Sequence, residues 1–101
     1  MAKSQSTNGN GIKMAQQTIT MYESMYCGYC RAARNLFGDK GYEYTSLVVD
    51  NEPNLRSEME EKAGRHTVPQ IFIGDKHVGG YDDVAALERN GELDALVNPA
   101  G

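Results

Sequence analysis

The chain has 101 residues, which suffices for one domain with a single core and is too short for two. Of these residues 40% are hydrophobic and 24% are charged, as is ordinary for a globular protein. Its net charge of −4 argues against a broad nucleic-acid interface. No apolar run approaches the ~20 residues of a membrane span, and no signal-peptide core is visible. We therefore expect a cytoplasmic protein with neither nucleic acid nor membrane as a partner.

The first part of the chain divides into a polar segment and two predicted elements. Residues 1–16 are rich in Ser, Asn, Gln and Gly without apolar periodicity, so we predict a disordered tail there. β-Branched and aromatic residues over 18–23 predict a strand. Apolar residues at helical spacing then predict a helix over 29–40, with Gly41 as its stop.

The middle of the chain repeats this alternation. A second strand is expected over 44–49. Pro53 suits the first turn of a second helix, whose apolar residues recur every four positions until Gly64.

The last third of the chain contains a predicted hairpin and a final helix. Gly74-Asp75 is a turn signal between strands at 70–73 and 76–78. Asp82 or Asp83 is expected to cap the final helix. The apolar residues of that helix and its short continuation are Val84, Leu87, Leu93 and Leu96.

The predicted order of elements is βαβαββα, which restricts the topology. Long helical crossovers imply parallel pairing of the first two strands, and the tight turn implies antiparallel pairing of the last two. We therefore predict an α/β fold with a mixed four-stranded sheet and helices on both faces.

The two cysteines of the chain, Cys27 and Cys30, lie between the first strand and the first helix. A cysteine at a helix N-terminus meets free N–H groups and the positive end of the helix dipole, which lower its pKa and favour the thiolate. Cys27 is therefore predicted to be the attacking sulfur, and Cys30, one turn further and more buried, the resolving thiol. Arg31 and Arg34 are expected to add positive potential nearby.

A zinc site is the alternative use of this cysteine pair. The remaining ligands would be His66 and His77, but they stand 11 residues apart. Zinc sites of this kind usually place their two histidines three to five residues apart. We therefore predict no metal at the pair.

Three motifs, in their order along the chain, resemble the glutaredoxin family, in particular its small bacterial dithiol members with the thioredoxin fold. They are Cys27-Gly28-Tyr29-Cys30, the run TVPQIFI over 67–73, and Gly79-Gly80 followed by Asp82-Asp83. The resemblance covers residues 17–98, which we predict to be a glutaredoxin domain. It implies a monomeric, glutathione-dependent thiol-disulfide oxidoreductase acting on protein disulfides and glutathione mixed disulfides.

The resemblance also implies which residues hold glutathione, the co-substrate. They are Tyr29, Arg65, Thr67, Val68, Pro69, Gly80, Tyr81, Asp82 and Asp83. A cis Val68–Pro69 bond is implied, which would turn the Val68 backbone toward Cys27 for pairing with a peptide-like substrate. The N–H groups after Gly79-Gly80 suit the γ-glutamyl carboxylate, and an Asp beside them suits its α-ammonium. The glycine carboxylate is expected to meet Arg65, with Arg31 as the second choice.

Two positions depart from the family pattern. Ser24 stands where many glutaredoxins have a lysine, which removes one cation from the site. Gly28 stands where many have a proline, and some dithiol members without that proline hold a [2Fe-2S] cluster between two protomers. In those proteins the first cysteine, which is Cys27 here, and the thiolate of bound glutathione are the ligands. A cluster-binding homodimer is therefore the alternative function.

Overall fold

The computed structural model describes residues 16–99. The predicted tail lies outside these residues except for Gln16, whose side-chain amide hydrogen-bonds both the N–H and the C=O of Glu43. The elements in chain order are β1 (Ile19–Glu23), α1 (Gly28–Lys40), β2 (Thr45–Val48), α2 (Pro53–Ala63), β3 (Gln70–Ile73), β4 (Lys76–Gly79), α3 (Tyr81–Arg89) and α4 (Leu93–Val97). None of the helices over residues 16–99 is long and apolar enough to cross a membrane.

The four strands form one mixed sheet in the order β2-β1-β3-β4. β1 and β2 are parallel, as the helical crossover predicts, while β3 is antiparallel to both β1 and β4. The predicted βαβαββα topology is confirmed, and α4 completes it. β1 is a central strand, so the loop at its carboxyl end lies at the middle of one sheet edge. This loop contains Cys27.

Alternation along the strands divides the core between the two faces of the sheet. On one face, buried β1 and β3 side chains pack with residues of α1, α3 and α4, and this cluster comprises Ile19, Met21, Ala33, Phe37, Tyr42, Ile71, Ile73, Val84, Leu93 and Val97. On the other face, Tyr22 and Val49 pack with Met59 of α2. Helices therefore cover both faces, as predicted.

The ends of the helices follow the sequence signals with one correction. α1 and α2 stop at Gly41 and Gly64, both left-handed with φ of 73° and 70°. The residue that caps α3 is Gly80, not Asp82 or Asp83. Asp83 lies in the first turn and accepts a hydrogen bond from the Gly80 N–H at 2.9 Å. A carboxylate three residues inside a helix can satisfy the cap N–H, so the acidic pair marks the start of the helix without occupying the cap.

Candidate active site

Cys27 is the N-cap residue of α1, in an extended conformation that leads the chain from β1 into the helix. Its sulfur accepts a hydrogen bond from the Cys30 N–H at 3.3 Å and lies 3.7 Å from the Val68 carbonyl oxygen. The first turn of α1 contains no acidic side chain. Cys27 is partly exposed, so a substrate can approach its sulfur beside the N–H groups at the start of the helix.

Cys30 lies one turn further along α1 and is fully buried, with 0% of its surface exposed. Burial raises the pKa of its thiol to about 12; the N–H of Ser24 opposes this rise, while Cys27 and the carboxylate of Glu23 add to it. The two cysteines of the pair therefore differ in their access to solvent. The predicted division between an exposed and a buried cysteine is what the structure contains.

The segment before β3 lies against the redox pair. The Val68–Pro69 bond is cis, as the resemblance implies. Thr67 is exposed, Val68 is partly buried and Pro69 is buried. The backbone of Val68 therefore lies beside Cys27 at the surface, where an extended peptide could pair with it.

A buried amide supports this segment from below. Gln70, one of two buried polar residues in the described chain, donates from Nε2 to the Thr67 carbonyl oxygen at 3.0 Å and to its hydroxyl at 3.2 Å. Its Oε1 lies 2.7 Å from Nε2 of His77. Burial and the charge of Arg65 lower the pKa of His77, and Asp83 opposes this shift. His77 is thus a hydrogen-bonding partner of a core amide.

The turn between β4 and α3 brings the Gly79-Gly80 pair next to Asp83. Gly79 has a φ of 125°, and a Cβ at this position would overlap the Asp83 carboxylate. Glycine is therefore required for both the backbone conformation and the close approach. Arg65 lies 3.6 Å from the same carboxylate, and both side chains are about half exposed. This contact joins two residues that were predicted to bind opposite ends of glutathione.

Aromatic rings line the approach to Cys27. Tyr29 of α1 stacks on Tyr81 of α3, with ring centroids 6.3 Å apart and an interplanar angle of 25°. Tyr26, immediately before the cysteine, is 92% exposed, and Met25 is 50% exposed. Apolar surface of this kind beside a reactive sulfur is typical of a binding site for a partner or ligand.

Ser24, at the position where the resemblance implies a lysine, forms hydrogen bonds within the loop that precedes Cys27. Its hydroxyl donates to Asp50 at 2.7 Å and accepts from the Tyr26 N–H at 3.1 Å. The other Asp50 oxygen accepts the Met25 N–H at 2.9 Å. These hydrogen bonds lower the pKa of Asp50. Where the resemblance implies a cation, this chain therefore has a serine that holds the loop by hydrogen bonds.

Glu23, the last residue of β1, was not predicted as part of the site. It is 0% exposed, and its two carboxylate oxygens bond the guanidinium of Arg34 and the hydroxyl of Ser46. The positive charge of Arg34, expected near the redox pair, is thus paired with Glu23. A glutamate ending an apolar strand was the available signal, but its burial depends on α1 and β2, which alternation along one strand does not reveal.

Comparisons with known proteins identify similar sequences and similar structures. The family profile named Glutaredoxin matches residues 19–78. A glutaredoxin of Pseudomonas aeruginosa is 48% identical over 80 residues, which cover 79% of this chain and 95% of that protein. The solution structure of glutaredoxin from Brucella melitensis is 42% identical with a TM-score of 0.76, covering 90% of this chain and 98% of that one. The crystal structure of a buckwheat glutaredoxin–glutathione complex is 32% identical with a TM-score of 0.75, covering 80% of this chain and 76% of that one.

A mixed sheet of this order, with a cysteine pair at the start of its first helix and a proline segment opposite, defines a thioredoxin-like dithiol protein. The family match and the relatives' identity over most of the chain specify it further. This chain belongs to the glutaredoxin family. It is a glutathione-dependent thiol-disulfide oxidoreductase.

Proposed function

We propose that Cys27 is the nucleophile of this enzyme and Cys30 its resolving thiol. The observation that carries the proposal is the contrast within the pair. The Cys27 sulfur is partly exposed and accepts a helix N–H, whereas Cys30 is buried with its pKa raised to about 12. Of the two, only the Cys27 sulfur is open to a substrate and lies at a helix N-terminus, the position that suits an attacking cysteine.

The proposed reaction begins on a glutathione mixed disulfide. The Cys27 thiolate attacks the glutathione sulfur, the protein substrate leaves as a thiolate that takes up a proton, and a Cys27–glutathione disulfide forms. A second glutathione thiolate then attacks the glutathione sulfur of this disulfide. Oxidised glutathione and the Cys27 thiolate are released, which completes the cycle.

Protein disulfides are proposed to follow a second route. Cys27 first forms a mixed disulfide with one sulfur of the substrate. Cys30 then loses its proton and attacks Cys27, so that the substrate leaves with both sulfur atoms reduced. Glutathione reduces the resulting Cys27–Cys30 disulfide.

Glutathione is proposed to lie across the mouth of the pair, between the Val68 backbone and the start of α3. Its backbone would pair with Val68, as a short added strand does. Its γ-glutamyl carboxylate would meet the N–H groups of Tyr81 and Asp82, and its α-ammonium the Asp83 carboxylate. Tyr29 and Thr67 would complete the walls.

Arg65 has to change partner in this proposal. Its ion pair with Asp83 spans 3.6 Å and both side chains are about half exposed, so the pair is weak. Binding would exchange it for two contacts with the ligand, the α-ammonium on Asp83 and the glycine carboxylate on Arg65. Arg31 is exposed on α1 and is the second choice for that carboxylate.

The setting proposed for this activity is a cytoplasmic monomer that acts on disulfide-containing or glutathionylated proteins, with residues 17–98 as its domain. The proposed reaction begins from the reduced pair, which a reducing compartment would maintain. Gel filtration tests the monomer, since a concentration-independent mass near 11.1 kDa is expected.

A [2Fe-2S] cluster was the alternative function, which would take Cys27 from each of two protomers and the thiolates of bound glutathione as its ligands. Among residues 16–99 there is no group of three or more His, Cys, Asp or Glu side chains placed to hold a metal ion. Cys27 is the partly exposed cysteine of the pair, so a cluster would depend on a second protomer and on bound glutathione for its other ligands. No step of the proposed reaction depends on a cluster.

The decisive experiment identifies the cysteine that accepts glutathione. The reduced protein is mixed with oxidised glutathione, quenched in acid, digested and analysed by mass spectrometry. Addition of the tripeptide to Cys27 is expected. Addition to Cys30 instead, or recovery of both cysteines as unmodified thiols, would overturn the assignment.

A further inference from the structure

Gln70 is a fully buried amide at the start of β3. Its polar groups all have partners, since Nε2 donates to the carbonyl oxygen and the hydroxyl of Thr67 and Oε1 lies 2.7 Å from Nε2 of His77. Replacing paired polar groups by apolar ones of the same shape can be nearly neutral for stability or even stabilising. Because Thr67 is exposed and His77 is partly exposed, water could pair with the groups that an apolar side chain here would leave. Stability is therefore a weak explanation for an amide at this position.

These hydrogen bonds can run in one direction only. A carbonyl oxygen accepts and never donates, so the nitrogen of the Gln70 amide must face Thr67 and its oxygen must face His77. The amide oxygen also accepts only, so Nε2 of His77 must carry a proton. Burial and the charge of Arg65 lower the pKa of His77, which favours the neutral ring with its proton on Nε2. The three residues thus form a chain of donors from His77 through Gln70 to Thr67.

The peptide unit that joins Thr67 to Val68 is held by this chain of donors. Among residues 16–99 only the Val68–Pro69 bond is cis, so the Thr67–Val68 bond is trans. In a trans peptide the C=O and the N–H lie in one plane and point in opposite directions. Gln70 holds the Thr67 carbonyl oxygen toward the buried side, so the Val68 N–H is directed away from Gln70. The carbonyl oxygen of Val68, in the next peptide unit, lies 3.7 Å from the Cys27 sulfur.

The same segment lies outside the sheet. The pairing of β3 with β1 begins at Gln70, so the ladder does not fix the orientation of Thr67 and Val68. Arg56 donates to the His66 carbonyl oxygen at 3.0 Å, but this contact is exposed. Gln70 therefore provides the buried contacts of the segment, directly before the residue whose backbone lies beside Cys27.

We propose that Gln70, oriented by His77, is a positioning residue that holds the Thr67–Val68 peptide unit so that the Val68 N–H is directed toward the backbone of glutathione. This inference rests on the glutathione site proposed above, in which the ligand pairs with Val68. If the peptide unit can rotate, only a fraction of the molecules present the N–H correctly, and the apparent affinity falls by that fraction. The reactivity of the Cys27 sulfur itself should not depend on Gln70.

The test compares two disulfides of one peptide. In one the peptide cysteine is joined to glutathione, and in the other it is joined to mercaptoethanol, which has no peptide backbone to pair with Val68. Each is mixed with the reduced protein, and acid-quenched samples are analysed by mass spectrometry for loss of the reduced form. The ratio of the two second-order rate constants measures the preference for glutathione.

Gln70→Leu is expected to reduce this preference about three- to tenfold, which corresponds to one neutral hydrogen bond. The rate with the mercaptoethanol disulfide and the Tm should be almost unchanged. The control is Val97→Ala, at a buried position of α4 beside the start of β1, which should lower Tm and leave the preference intact. An unaltered preference in Gln70→Leu would overturn the proposal. An equal fall with both disulfides would also overturn it, because it would indicate a general disturbance of the site.

His77 gives two further readouts, which decide if Gln70→Leu does not fold. His77→Phe keeps a ring against Phe72 and removes the donor to the Gln70 oxygen. Its preference for glutathione should fall in the same direction by about two- to threefold, and no fall would contradict the proposal. In the wild-type protein, NMR correlations between ring protons and nitrogens should show the proton of neutral His77 on Nε2. A proton on Nδ1 alone would overturn the proposed direction of the hydrogen bonds.

The wild-type protein distinguishes this inference from the function on which it rests. It is expected to react faster with the glutathione disulfide than with the mercaptoethanol disulfide. Equal rates would contradict the proposed glutathione site itself. A preference for glutathione that is the same in wild type and in Gln70→Leu would overturn only the inference about Gln70.

Discussion

The two ends of helix α1 differ in the groups that pair with its free backbone N–H and carbonyl groups. Every helix leaves backbone N–H groups without partners at its start and carbonyl groups at its end. At the C-terminal end of α1, left-handed Gly41 donates its N–H back to Gly38, and Lys40 bonds carboxylates of Glu88 and Asp94. At the N-terminal end, an N–H is donated to the sulfur of Cys27. At the C-terminal end the partners are backbone and side-chain groups with no part in the proposed reaction. At the N-terminal end the partner is the sulfur proposed to react.

This comparison predicts what kind of loss follows from substitutions at each end. Near Cys27, replacing a side chain should change rates and leave the free energy of unfolding almost unaltered. Toward Lys40 and in the middle of the helix, replacement should change stability and leave turnover per folded molecule intact. The predictions below test that separation, from the largest expected effect to the smallest.

Cys27→Ser is expected to abolish turnover, because a serine hydroxyl cannot form a disulfide. Cys30→Ser is expected to retain deglutathionylation and to lose the reduction of protein disulfides, since only the latter needs a resolving thiol. Both activities are measured by coupling to glutathione reductase and NADPH. Equal loss in the two variants on a glutathione mixed disulfide would show that the roles are assigned wrongly.

Phe37→Ala tests the middle of the same helix. Phe37 is fully buried and contacts the rings of Tyr42 and Tyr44 at centroid distances of 6.4 and 5.4 Å. Truncation of such a ring typically costs about 3–5 kcal/mol, which urea unfolding would detect. Turnover corrected for the folded fraction should be unchanged. The control is Asn35→Ala at an exposed position of α1, and a comparable loss there would contradict the explanation.

Much of the fold could be predicted from the sequence because the signals for its elements are local. Gly41 and Gly64 end helices since only a left-handed residue fits there, and alternating apolar residues identify the central strands. The hairpin at Gly74-Asp75 follows from its turn residues. The order of the elements then predicts which strands pair in parallel. The sheet could therefore be predicted without knowledge of contacts between distant residues.

The remaining features arise from contacts between distant parts of the chain. Glu23 is buried only because Arg34 and Ser46 reach it, and no spacing along the chain indicates this. The Arg65–Asp83 pair likewise depends on how the segment before β3 meets α3. Sequence motifs therefore singled out Val68, whose backbone lies beside Cys27, while the partners of Glu23 and Arg65 emerged only from the fold.

Asp83→Asn tests the ligand side of the N-terminal end. The amide can still accept the Gly80 N–H, so the turn should persist, but the charge proposed to meet the α-ammonium of glutathione is removed. Losing a hydrogen bond to a charged group costs about 1.5–3 kcal/mol, so KM for glutathione should rise about tenfold or more. The turnover number should change little, as judged from initial rates over a range of glutathione concentrations. Asp82→Asn is the matched control, and an equal effect there, or an unchanged KM for Asp83→Asn, would contradict the assignment.

Asp94→Asn tests the closed end of α1 and should have the smallest effect. The hydroxyl of Tyr42 and the ammonium of Lys40 lower the pKa of Asp94. Because its folded-state pKa is below the unfolded value of about 3.9, the stabilisation is present above that pH and disappears as the pH falls through the folded value. The variant should therefore have a slightly lower Tm than wild type at pH 7, a difference that narrows as the pH falls below about 3.9, with unchanged turnover at pH 7. Asp39→Asn, at an exposed position near the end of α1, is expected to leave Tm unaltered over the same pH range. If Asp94→Asn instead reduced turnover without lowering Tm, the two ends of α1 would not be separable in the way the structure indicates.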